Sequence, residues 1–545
     1  MKAMAQAVME REEDRPEGLD AVIVGAGFAG LYMLYRLNRM GCSARIYEAG
    51  GGVGGTWFWN CYAGARCDIE SLEYSYSFSE ELQQEWRWTE RYASQPEILR
   101  YLDYVADRFE LRPHIQLNTR VTAASFDEAT SRWTIETDRG PSVSARFCIM
   151  ATGCLSTPKI PDIKGLEEFR GKRYHTARWP QEKVDFGGQQ VGVIGTGSSA
   201  VQVIPTIATQ ASHLFVFQRT PTFVVPAHNA RLSEEATEDW KANGARYRHR
   251  ARTSTFGLVA EQNLKSAFEA STEEREAEYE QRWRIGGLAM YGAYSDLFTD
   301  KDANDTAAEF VRSKIRGIVN DPTIAEKLSP RSYPLGAKRI SVGTGYYQTF
   351  NRDNVTLIDT RSTPIEEITA TGVQTSESDY KLDSLVFATG FDAMTGALRN
   401  IDIRGRAGIR LKKRWSTGPR SYLGLLVAAF PNLFLITGPG SPSVFSNMVL
   451  SIEQHVDWIA DCLAYLHEHQ LVAIEATLDA EDAWIRHVNE LSGHTLFPCA
   501  NSWYVGANVP GKPRGFMPYI GGVGVYRQKC DAVAANGYEG FALWR

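Results

Sequence analysis

An apolar run near the start of the chain changes into a helical pattern. Residues 20–41 read DAVIVGAGFAGLYMLYRLNRMG, in which a short apolar run is followed by apolar positions at helical spacing. SARIYEAG at 43–50 is typical of a further strand. Gly25, Gly27 and Gly30 lie between the first strand and the helix. The pattern predicts a strand–helix–strand unit with a glycine-rich first turn.

A second unit of the same kind begins at residue 189. QQVGVIGTGSSAVQVIPTIATQ (189–210) passes from an apolar strand through a glycine turn into a helix, and LFVFQRTP (214–221) follows as a strand. Glycine turns between a strand and a helix are typical of dinucleotide-binding sites. The predicted fold class is therefore α/β, with two Rossmann-like dinucleotide-binding domains.

The rest of the chain shows how these domains are interrupted. Residues 231–330 are rich in Glu, Lys, Arg and Ala, which predicts a mostly helical insertion. YKLDSLVFATGFD (380–392) repeats the pattern of ARFCIMATGC (145–154), an apolar strand that runs into Ala-Thr-Gly. The repeat predicts two crossings between the domains, so we expect the first domain to be discontinuous and to include the C-terminal part of the chain.

Composition narrows the class of ligand. The 545 residues carry a net charge of −6, which disfavours nucleic acid and anionic membranes and favours small-molecule partners. The eight cysteines form no CxxC pair, so neither a disulfide framework nor a metal site is expected, and a reducing cytoplasm fits. The apolar segment 422–440 is broken by Pro431 and Asn432, which predicts two buried strands and no membrane span. We expect a monomer or a weak oligomer.

The residue that ends the second strand of the first unit indicates its ligand. Glu48 follows Gly30 by 18 positions, where a carboxylate can accept hydrogen bonds from both hydroxyls of an adenosine ribose. A free 2′-hydroxyl favours FAD or NAD. The alternative is a carboxylate that merely ends a strand at the surface.

The second unit has a cation at the corresponding place. Its strand ends in Gln218, Arg219 and Thr220, and a guanidinium can bind a 2′-phosphate through two hydrogen bonds. This favours NADP over NAD, although a solvated surface arginine is the alternative. Cys61 and Cys67 are too far apart for the close pair of a disulfide reductase, so FAD and NADPH together favour oxygen chemistry.

These assignments predict a domain organisation: a flexible leader at 1–20; an FAD-binding domain at 21–168 and 384–545, the latter with a C-terminal loop; a linker and the first part of an NADP-binding domain at 169–230; the helical insertion at 231–330; and the second part of the NADP-binding domain at 331–383.

The segment between the two units carries a family motif. FRGKRYHTARWP (169–180) is similar to the fingerprint FxGxxxHTxxW(P/D) of the type I Baeyer–Villiger monooxygenases. GGTWFWN, GARCD, VGVIGTGSS, FQRTP, ATGFDA and SNM extend the resemblance over nearly the whole chain. The chain resembles the phenylacetone monooxygenase branch, near steroid and cyclohexanone monooxygenases.

The resemblance implies a reaction. NADPH reduces FAD, O2 adds at C4a of the flavin, and the resulting peroxide attacks a ketone to give a Criegee adduct that rearranges to an ester or lactone. Sulfoxidation is implied as a further activity. Such chemistry needs a fixed cation, retained NADP⁺ and a dry site.

The resemblance also implies the residues that perform this reaction. Arg339, in YPLGAKRIS, corresponds to the active-site arginine, and Asp68, in GARCD, to the acidic residue that orients it. Lys338 is expected to join Arg219 and Thr220 at the 2′-phosphate. Without the resemblance, Arg339 would be interpreted as a surface charge and Asp68 as a turn residue or helix cap.

The other expected site residues form four groups. FAD is expected at Gly25, Gly27, Phe28, Gly30, Glu48, Thr56, Trp57, Asp68, Tyr74, Val121 and Met448. NADP is expected at Arg66, Gly195, Thr196, Gly197, Ser198, Ser199, Arg219, Thr220, Lys338, Arg339 and Trp503. The substrate pocket is expected at Ser443, Val444 and Phe445. The fingerprint is interpreted as a hinge that includes Phe169, Gly171, His175, Thr176 and Trp179.

Two departures and two rival functions stay open. The branch has Arg and Pro in NRYPGARCD, where this chain has Cys61 and Ala63, and the loss of proline puts the rigidity of that turn in doubt. Cys61 is interpreted as an inert packed thiol. The rivals are a flavin monooxygenase that oxygenates nitrogen or sulfur, and an NADPH–flavin reductase or silent flavin-binding scaffold that does not oxygenate.

Overall fold

The fold is seen in a computed structural model, which describes residues 18–545. The predicted leader therefore lies outside the described residues except for its last three positions, and the first strand begins within it. The strands are β1 (Leu19–Val24), β2 (Ala44–Tyr47), β3 (Ile115–Gln116), β4 (Val121–Asp127), β5 (Arg132–Thr137), β6 (Val143–Met150), β7 (Lys172–His175), β8 (Gln190–Ile194), β9 (His213–Gln218), β10 (Val224–Pro226), β11 (Ser341–Gly343), β12 (Val355–Asp359), β13 (Ile365–Thr369), β14 (Gly372–Thr375), β15 (Asp379–Lys381), β16 (Ser384–Phe387), β17 (Asp402–Arg404), β18 (Leu433–Leu435), β19 (Ala473–Ala476) and β20 (Phe541–Trp544).

The α-helices lie between these strands in the described part of the chain. They are α1 (Phe28–Arg39), α2 (Thr56–Trp59), α3 (Glu80–Glu85), α4 (Gln95–Arg108), α5 (Ser198–Ala208), α6 (Glu234–Thr253), α7 (Thr272–Ile285), α8 (Lys301–Ile318), α9 (Pro322–Leu328), α10 (Tyr346–Thr349), α11 (Gly396–Arg399), α12 (Leu411–Arg414), α13 (Met448–Glu468), α14 (Leu478–Gly493) and α15 (Val523–Ala535).

The first large sheet is built around β1. Its order is β17-β4-β5-β6-β1-β2-β3, with β18 paired to β6. β1 is parallel to β2 and β6. Leu31, Leu34 and Leu37 of α1 are fully buried, because their helical spacing puts them on one apolar face. The turn between β1 and α1 thus lies at the carboxyl edge of the sheet, where α/β proteins bind their ligands.

The second large sheet is parallel throughout. Its order is β12-β9-β8-β16-β7, and α5 connects β8 to β9. Val191 and Val193 of β8 are fully buried, as expected for a strand covered on both faces. Two sheets, each with parallel strands around its own glycine turn, confirm the predicted α/β class with two Rossmann-like domains.

One predicted boundary is wrong by the extent of a strand. The predicted second part of the FAD-binding domain begins at residue 384 and so includes β16. In the structure, β16 pairs with β8 and β7 in the second sheet. The Ala-Thr-Gly repeat identifies the crossing between the sheets, and it does not tell on which side the preceding strand lies. The fingerprint segment is likewise more than a linker, because its residues 172–175 form β7.

Helices dominate the segment predicted as an insertion. Residues 231–330 contain α6 to α9 and two short 3₁₀ helices. β10 and β11, on either side of this segment, pair in parallel, which brings the chain back beside its point of departure. Arg339 lies two residues before β11 and is therefore positioned by this return of the chain.

The apolar segment 422–440 contains one strand instead of the two predicted. Only residues 433–435 form a strand, β18. Leu423, Ala429 and Asn432 have positive φ, and this left-handed backbone interrupts regular pairing. None of the helices in the described part of the chain has the length and apolar character needed to span a bilayer.

Candidate active site

The glycine turn after β1 brings three backbone segments together. Gly25 has a φ of +106°, and a Cβ atom on it would lie 2.7 Å from the carbonyl oxygen of Ala151. A Cβ atom on Gly30 would lie 1.9 Å from the carbonyl oxygen of Gly25. Gly27 caps α1 without a side-chain hydrogen bond. The first amides of α1 can therefore bind a phosphate group that approaches closely.

Glu48 is buried beside this turn. Its Oε2 accepts a hydrogen bond from the Ala26 amide at 2.8 Å, and its Oε1 accepts one from the Gly50 amide at 2.6 Å. Each carboxylate oxygen can accept a second hydrogen bond. The side chain is thus held in place by the backbone and still fits the ribose of FAD.

Aromatic side chains lie next to the turn. Trp57 Nε1 donates to Tyr74 Oη at 3.1 Å, and the ring of Phe28 meets that of Tyr74 edge to face at 5.2 Å between centroids. Val121 is buried at the start of β4, and Met448 is the first residue of α13. Thr56, which begins α2, is exposed. The contacts of these residues with a flavin stay a prediction.

The second glycine turn is more open. Gly195 has a φ of +115°, and a Cβ atom on it would lie 2.4 Å from the Ala388 carbonyl oxygen, whereas nothing lies within 4 Å of a Cβ atom on Gly197. Thr196 Oγ1 donates to the Thr220 carbonyl at 2.6 Å. Two serines follow at the start of α5: Ser198, exposed and 3.1 Å from Ser341 Oγ, and Ser199, half-buried.

Two cations predicted to bind the second dinucleotide have no acidic partner in the described part of the chain. Among residues 18–545, neither Arg219 nor Lys338 forms an ion pair. Burial lowers the pKa of Lys338, and the nearby Arg219 lowers it further. Two close cations without a carboxylate are stabilised by an anion. The pair therefore fits the 2′-phosphate of NADP.

Arg339 and Asp68 are in direct contact, although 271 positions separate them. Arg339 Nε donates to Asp68 Oδ2 at 2.6 Å, and a terminal nitrogen donates to Oδ1 at 3.1 Å. The other terminal nitrogen donates to the Val444 carbonyl at 2.8 Å. The two-point contact fixes the guanidinium plane as well as its position. Sequence spacing could not bring these residues together.

The charge of Arg339 is secure. Burial disfavours the guanidinium cation, but the Asp68 carboxylate outweighs this effect and raises the pKa of Arg339 above its usual value. The Arg339 side chain is 16% exposed, so little water screens it. A fixed, poorly screened cation can stabilise an oxyanion that forms beside it.

Comparison with known proteins assigns this arrangement to a family. Residues 22–241 match the pyridine nucleotide-disulphide oxidoreductase family. A Baeyer-Villiger monooxygenase of Pseudooceanicola batsensis is 43% identical over 95% of each chain, and the phenazine N-monooxygenase PhzNO1 of Lysobacter antibioticus is 43% identical over 96% of this chain and 97% of its own. The chain belongs to the Baeyer–Villiger monooxygenase family.

Solved structures agree with this membership. An oxidized steroid monooxygenase bound to NADP is 52% identical, with a TM-score of 0.93 over 96% of this chain and 99% of its own. OTEMO in complex with FAD and NADP is 40% identical, with a TM-score of 0.94 over 97% of this chain and 100% of its own. The predicted family is confirmed.

The family fingerprint forms the outer strand of the second sheet. β7 pairs with β16, and a Cβ atom on Gly171 would lie 2.5 Å from the Asp383 carbonyl oxygen. Phe169 and Trp179 are buried in two different apolar clusters. Thr176, which is also buried, lies 3.5 Å from the Phe387 carbonyl. The motif is thus packed between the domains, and its hinge role stays a prediction.

The turn that carries Asp68 is held from the second domain. Gln202 of α5 accepts a hydrogen bond from Tyr62 Oη at 2.8 Å and donates to the Arg66 carbonyl at 3.0 Å. The Arg66 side chain pairs with Glu90. Cys61 Sγ lies 3.5 Å from the Trp179 carbonyl. These contacts restrain the turn by means other than the missing proline.

The Cys61 thiol stays protonated in this environment, because burial raises its pKa. The interpretation of Cys61 as a packed thiol therefore agrees with its surroundings.

Two phenols near Arg339 had no signal in the sequence. Tyr291, from the helical segment, accepts a hydrogen bond from the Ile340 amide at 3.2 Å, and Tyr504 follows Trp503 in the C-terminal loop. Burial raises the pKa of both phenols, and Arg339 opposes this rise. Both are neutral hydrogen-bond donors at neutral pH. They could not be found by pattern, because only the fold brings the three segments together.

A cavity of about 290 Å³ reaches the same region. Phe445 lines it, whereas Ser443 and Val444, the other two predicted pocket residues, are buried beside it. Most of the large side chains in its wall are aromatic: Phe256, Tyr291, Phe298, Phe497 and Tyr519. Such a wall suits an apolar molecule with ring systems.

Proposed function

We propose that this protein is an FAD- and NADPH-dependent monooxygenase that uses O2 to convert ketones to esters or lactones. The observation that carries the proposal is the contact between Arg339 and Asp68, which holds a fixed cation that little water screens. A reductase that only passes hydride to flavin has no need of such a cation.

When bound, FAD supplies the centre at which O2 is activated, and NADPH supplies the hydride that reduces it. Glu48 and the amides of α1 bind and orient the first dinucleotide. Arg219, Thr220 and Lys338 bind the second.

Arg339 acts on the negative charge that develops on the carbonyl oxygen of the ketone. The guanidinium stabilises the negatively charged transition state more than the neutral bound ketone. It therefore accelerates the reaction instead of only binding substrate. Asp68 and the Val444 carbonyl keep it in one plane. The apolar wall around Phe445 excludes water, which strengthens the electrostatic contact.

The aromatic cavity supports a ketone that carries rings. A planar aryl or polycyclic group can stack on or meet these side chains edge to face, whereas a very small aliphatic ketone would leave most of the wall unpaired. The identity of the ketone is the finer part of this proposal. Turnover with aryl, cyclic and steroid ketones, compared by product chromatography, tests it.

The holoenzyme with NADPH and this ketone panel also tests the reaction itself. We expect at least one ester or lactone, formed with consumption of one NADPH per product. Oxidation of NADPH without any ester, lactone or other oxygenated product would favour the flavin reductase instead.

A second candidate is oxygenation of heteroatoms, because a relative at 43% identity is a phenazine N-monooxygenase. The same cofactors could oxidise a nitrogen or sulfur nucleophile. Phenazine and an aryl sulfide in parallel incubations distinguish the two. Formation of N-oxide or sulfoxide with no ester from any ketone would replace ketone oxygenation by this candidate.

Two further assignments concern the location of the protein in the cell and its oligomeric state. We propose a cytoplasmic protein, which the lack of any CxxC pair among the eight cysteines supports, and a monomer or weak oligomer. Light scattering at micromolar concentration tests the oligomeric state.

A further inference from the structure

Lys159 lies beside the segment through which the chain leaves the second sheet after β16. Its amide donates to the Gly390 carbonyl at 2.8 Å, just after β16. Thr389 Oγ1 donates to the Lys159 carbonyl at 2.5 Å. The neighbouring Pro158 bridges to Phe391. These contacts fix the backbone of Lys159 at the carboxyl edge of the sheet, close to the Gly195 turn that abuts Ala388.

The fingerprint histidine contacts the same carbonyl. His175 Nδ1 accepts a hydrogen bond from the Ala177 amide at 3.0 Å, so the proton of the neutral ring is on Nε2. That atom lies 3.2 Å from both the Lys159 carbonyl and Thr389 Oγ1, to which it can donate. Burial lowers the pKa of His175, which favours this neutral form. The fingerprint therefore positions Lys159.

The Lys159 side chain points to a different element. Its ammonium donates to the main-chain carbonyl of Asn508, in the C-terminal loop that contains Trp503. Asn508 Nδ2 in turn donates to the Phe391 carbonyl at 2.7 Å. Lys512 Nζ forms an ion pair with Asp392 at 2.6 Å. Residues 501–515 are thus held at two points by the segment that follows β16 and at a third by Lys159.

Lys159 is also a cation without an acidic partner. No carboxylate among residues 18–545 pairs with it, although it is half-buried. Burial lowers the pKa of Lys159, and Arg219 lowers it further, as Arg219 also does for Lys338. Lys159 and Lys338 are therefore both close to Arg219, and the charged forms of the two lysines are disfavoured until an anion binds.

We propose that Lys159 is a third cation of the NADP 2′-phosphate site, and that its bond to Asn508 couples phosphate binding to closure of the C-terminal loop. The proposal rests on the cofactor part of the proposed function and not on the oxygenation of ketones. A dinucleotide with a 2′-phosphate stabilises the charged ammonium, and the same ammonium holds the loop. NADP⁺ is then expected to close the loop more firmly than NAD⁺.

Two substitutions separate the halves of this proposal. Lys159→Met removes both the charge and the donor but keeps the length of the side chain. Lys159→Gln removes the charge and keeps a donor for the Asn508 carbonyl. Lys164→Met is the matched control, because Lys164 is an exposed lysine nearby that pairs with Glu367 instead.

The first readout is the Kd of NADP⁺ and of NAD⁺ on the FAD-bound protein, measured by calorimetry. Lys159→Met and Lys159→Gln are each expected to weaken NADP⁺ binding by about tenfold or more, since a charge-assisted contact contributes roughly that factor. NAD⁺ binding should change much less, above all in Lys159→Gln, which keeps a donor to the loop. An NADP⁺-to-NAD⁺ preference equal to that of the unaltered protein would overturn the role at the phosphate.

The second readout is amide hydrogen exchange in residues 501–515 with NADP⁺ bound. Lys159→Met is expected to speed exchange in this loop, and Lys159→Gln to speed it less. Unchanged exchange in Lys159→Met would overturn the coupling. Lys512→Met, which loosens the loop from its other end, should weaken NADP⁺ and NAD⁺ alike.

The unaltered protein separates this proposal from the proposed function. If it binds NAD⁺ as tightly as NADP⁺, the assigned cofactor is wrong. If it prefers NADP⁺ and both Lys159 variants keep that preference, only the role of Lys159 is wrong.

Discussion

The two glycine turns have the same backbone plan and opposite surroundings. In the first, the acid Glu48 is buried and held by two amides, and a Cβ atom on Gly27 would contact Gly55 at 3.4 Å. In the second, no atom lies within 4 Å of a Cβ atom on Gly197, and the cation Arg219 is exposed.

This difference indicates two modes of binding. A closed turn with its acceptor already positioned suits a dinucleotide that stays bound, because binding orders little more of the protein. An open turn beside uncompensated cations suits a dinucleotide that arrives from solution and is retained by its charge. We infer that FAD remains in place while NADP exchanges. The following substitutions test which residues belong to each site.

The largest effect is expected at the fixed cation, which neither turn supplies. Arg339→Ala should lower ester formation by roughly 100- to 1000-fold, the usual cost of removing a donor to an oxyanion, while NADPH still reduces the flavin. Product chromatography and anaerobic stopped-flow absorbance measure the two steps. Arg331→Ala removes an exposed arginine nearby as a control. A normal ester yield from Arg339→Ala would reject its assignment.

Glu48→Ala should act on the closed site alone. It leaves the Ala26 and Gly50 amides without their partner and removes the ribose acceptor, so FAD should bind roughly 10- to 100-fold more weakly. The flavin absorbance of the purified protein, before and after dialysis, measures this. Full retention of FAD would show that the first turn does not depend on its acid.

Arg219→Ala should act on the open site alone. Loss of a phosphate contact should reduce the preference for NADPH over NADH by about tenfold to a hundredfold, with FAD content unchanged. Lys338→Ala should act in the same direction. Arg361→Ala is the control, because this arginine, at the end of the adjacent strand, pairs with Asp359. An unchanged preference in both site variants would refute the phosphate assignment.

The smallest effect is a pH dependence of the open site. The pKa of Lys338 is lowered by burial and by Arg219, so NADP⁺ affinity should be full at neutral pH and fall as pH rises through that lowered value. Titrations of NADP⁺ between about pH 7 and about pH 9.5 should show a few-fold loss. In Arg219→Ala the loss should begin at higher pH, since one cause of the shift is gone. An identical onset in both proteins would argue against this cluster.

Local patterns were sufficient for both dinucleotide units. The glycines and the leucine spacing of residues 20–41 predicted β1 and α1, because turn sterics and amphipathicity are local. The placement of β16 was wrong, because a buried parallel strand has the same apolar sequence pattern in either sheet. Tyr291, Tyr504 and Lys159 were missed, since each reaches the site from a distant segment and belongs to no short motif. The contact of Arg339 with Asp68 was expected only from the family resemblance.

Incorporation of isotopic oxygen tests the central claim most directly. The FAD-bound protein is given NADPH, an aryl ketone and ¹⁸O2, and the product is analysed by mass spectrometry. The account predicts an ester that carries one ¹⁸O atom, formed by the unaltered protein and lost in Arg339→Ala. Consumption of NADPH and O2 with hydrogen peroxide as the sole product, over the whole ketone panel, would contradict it.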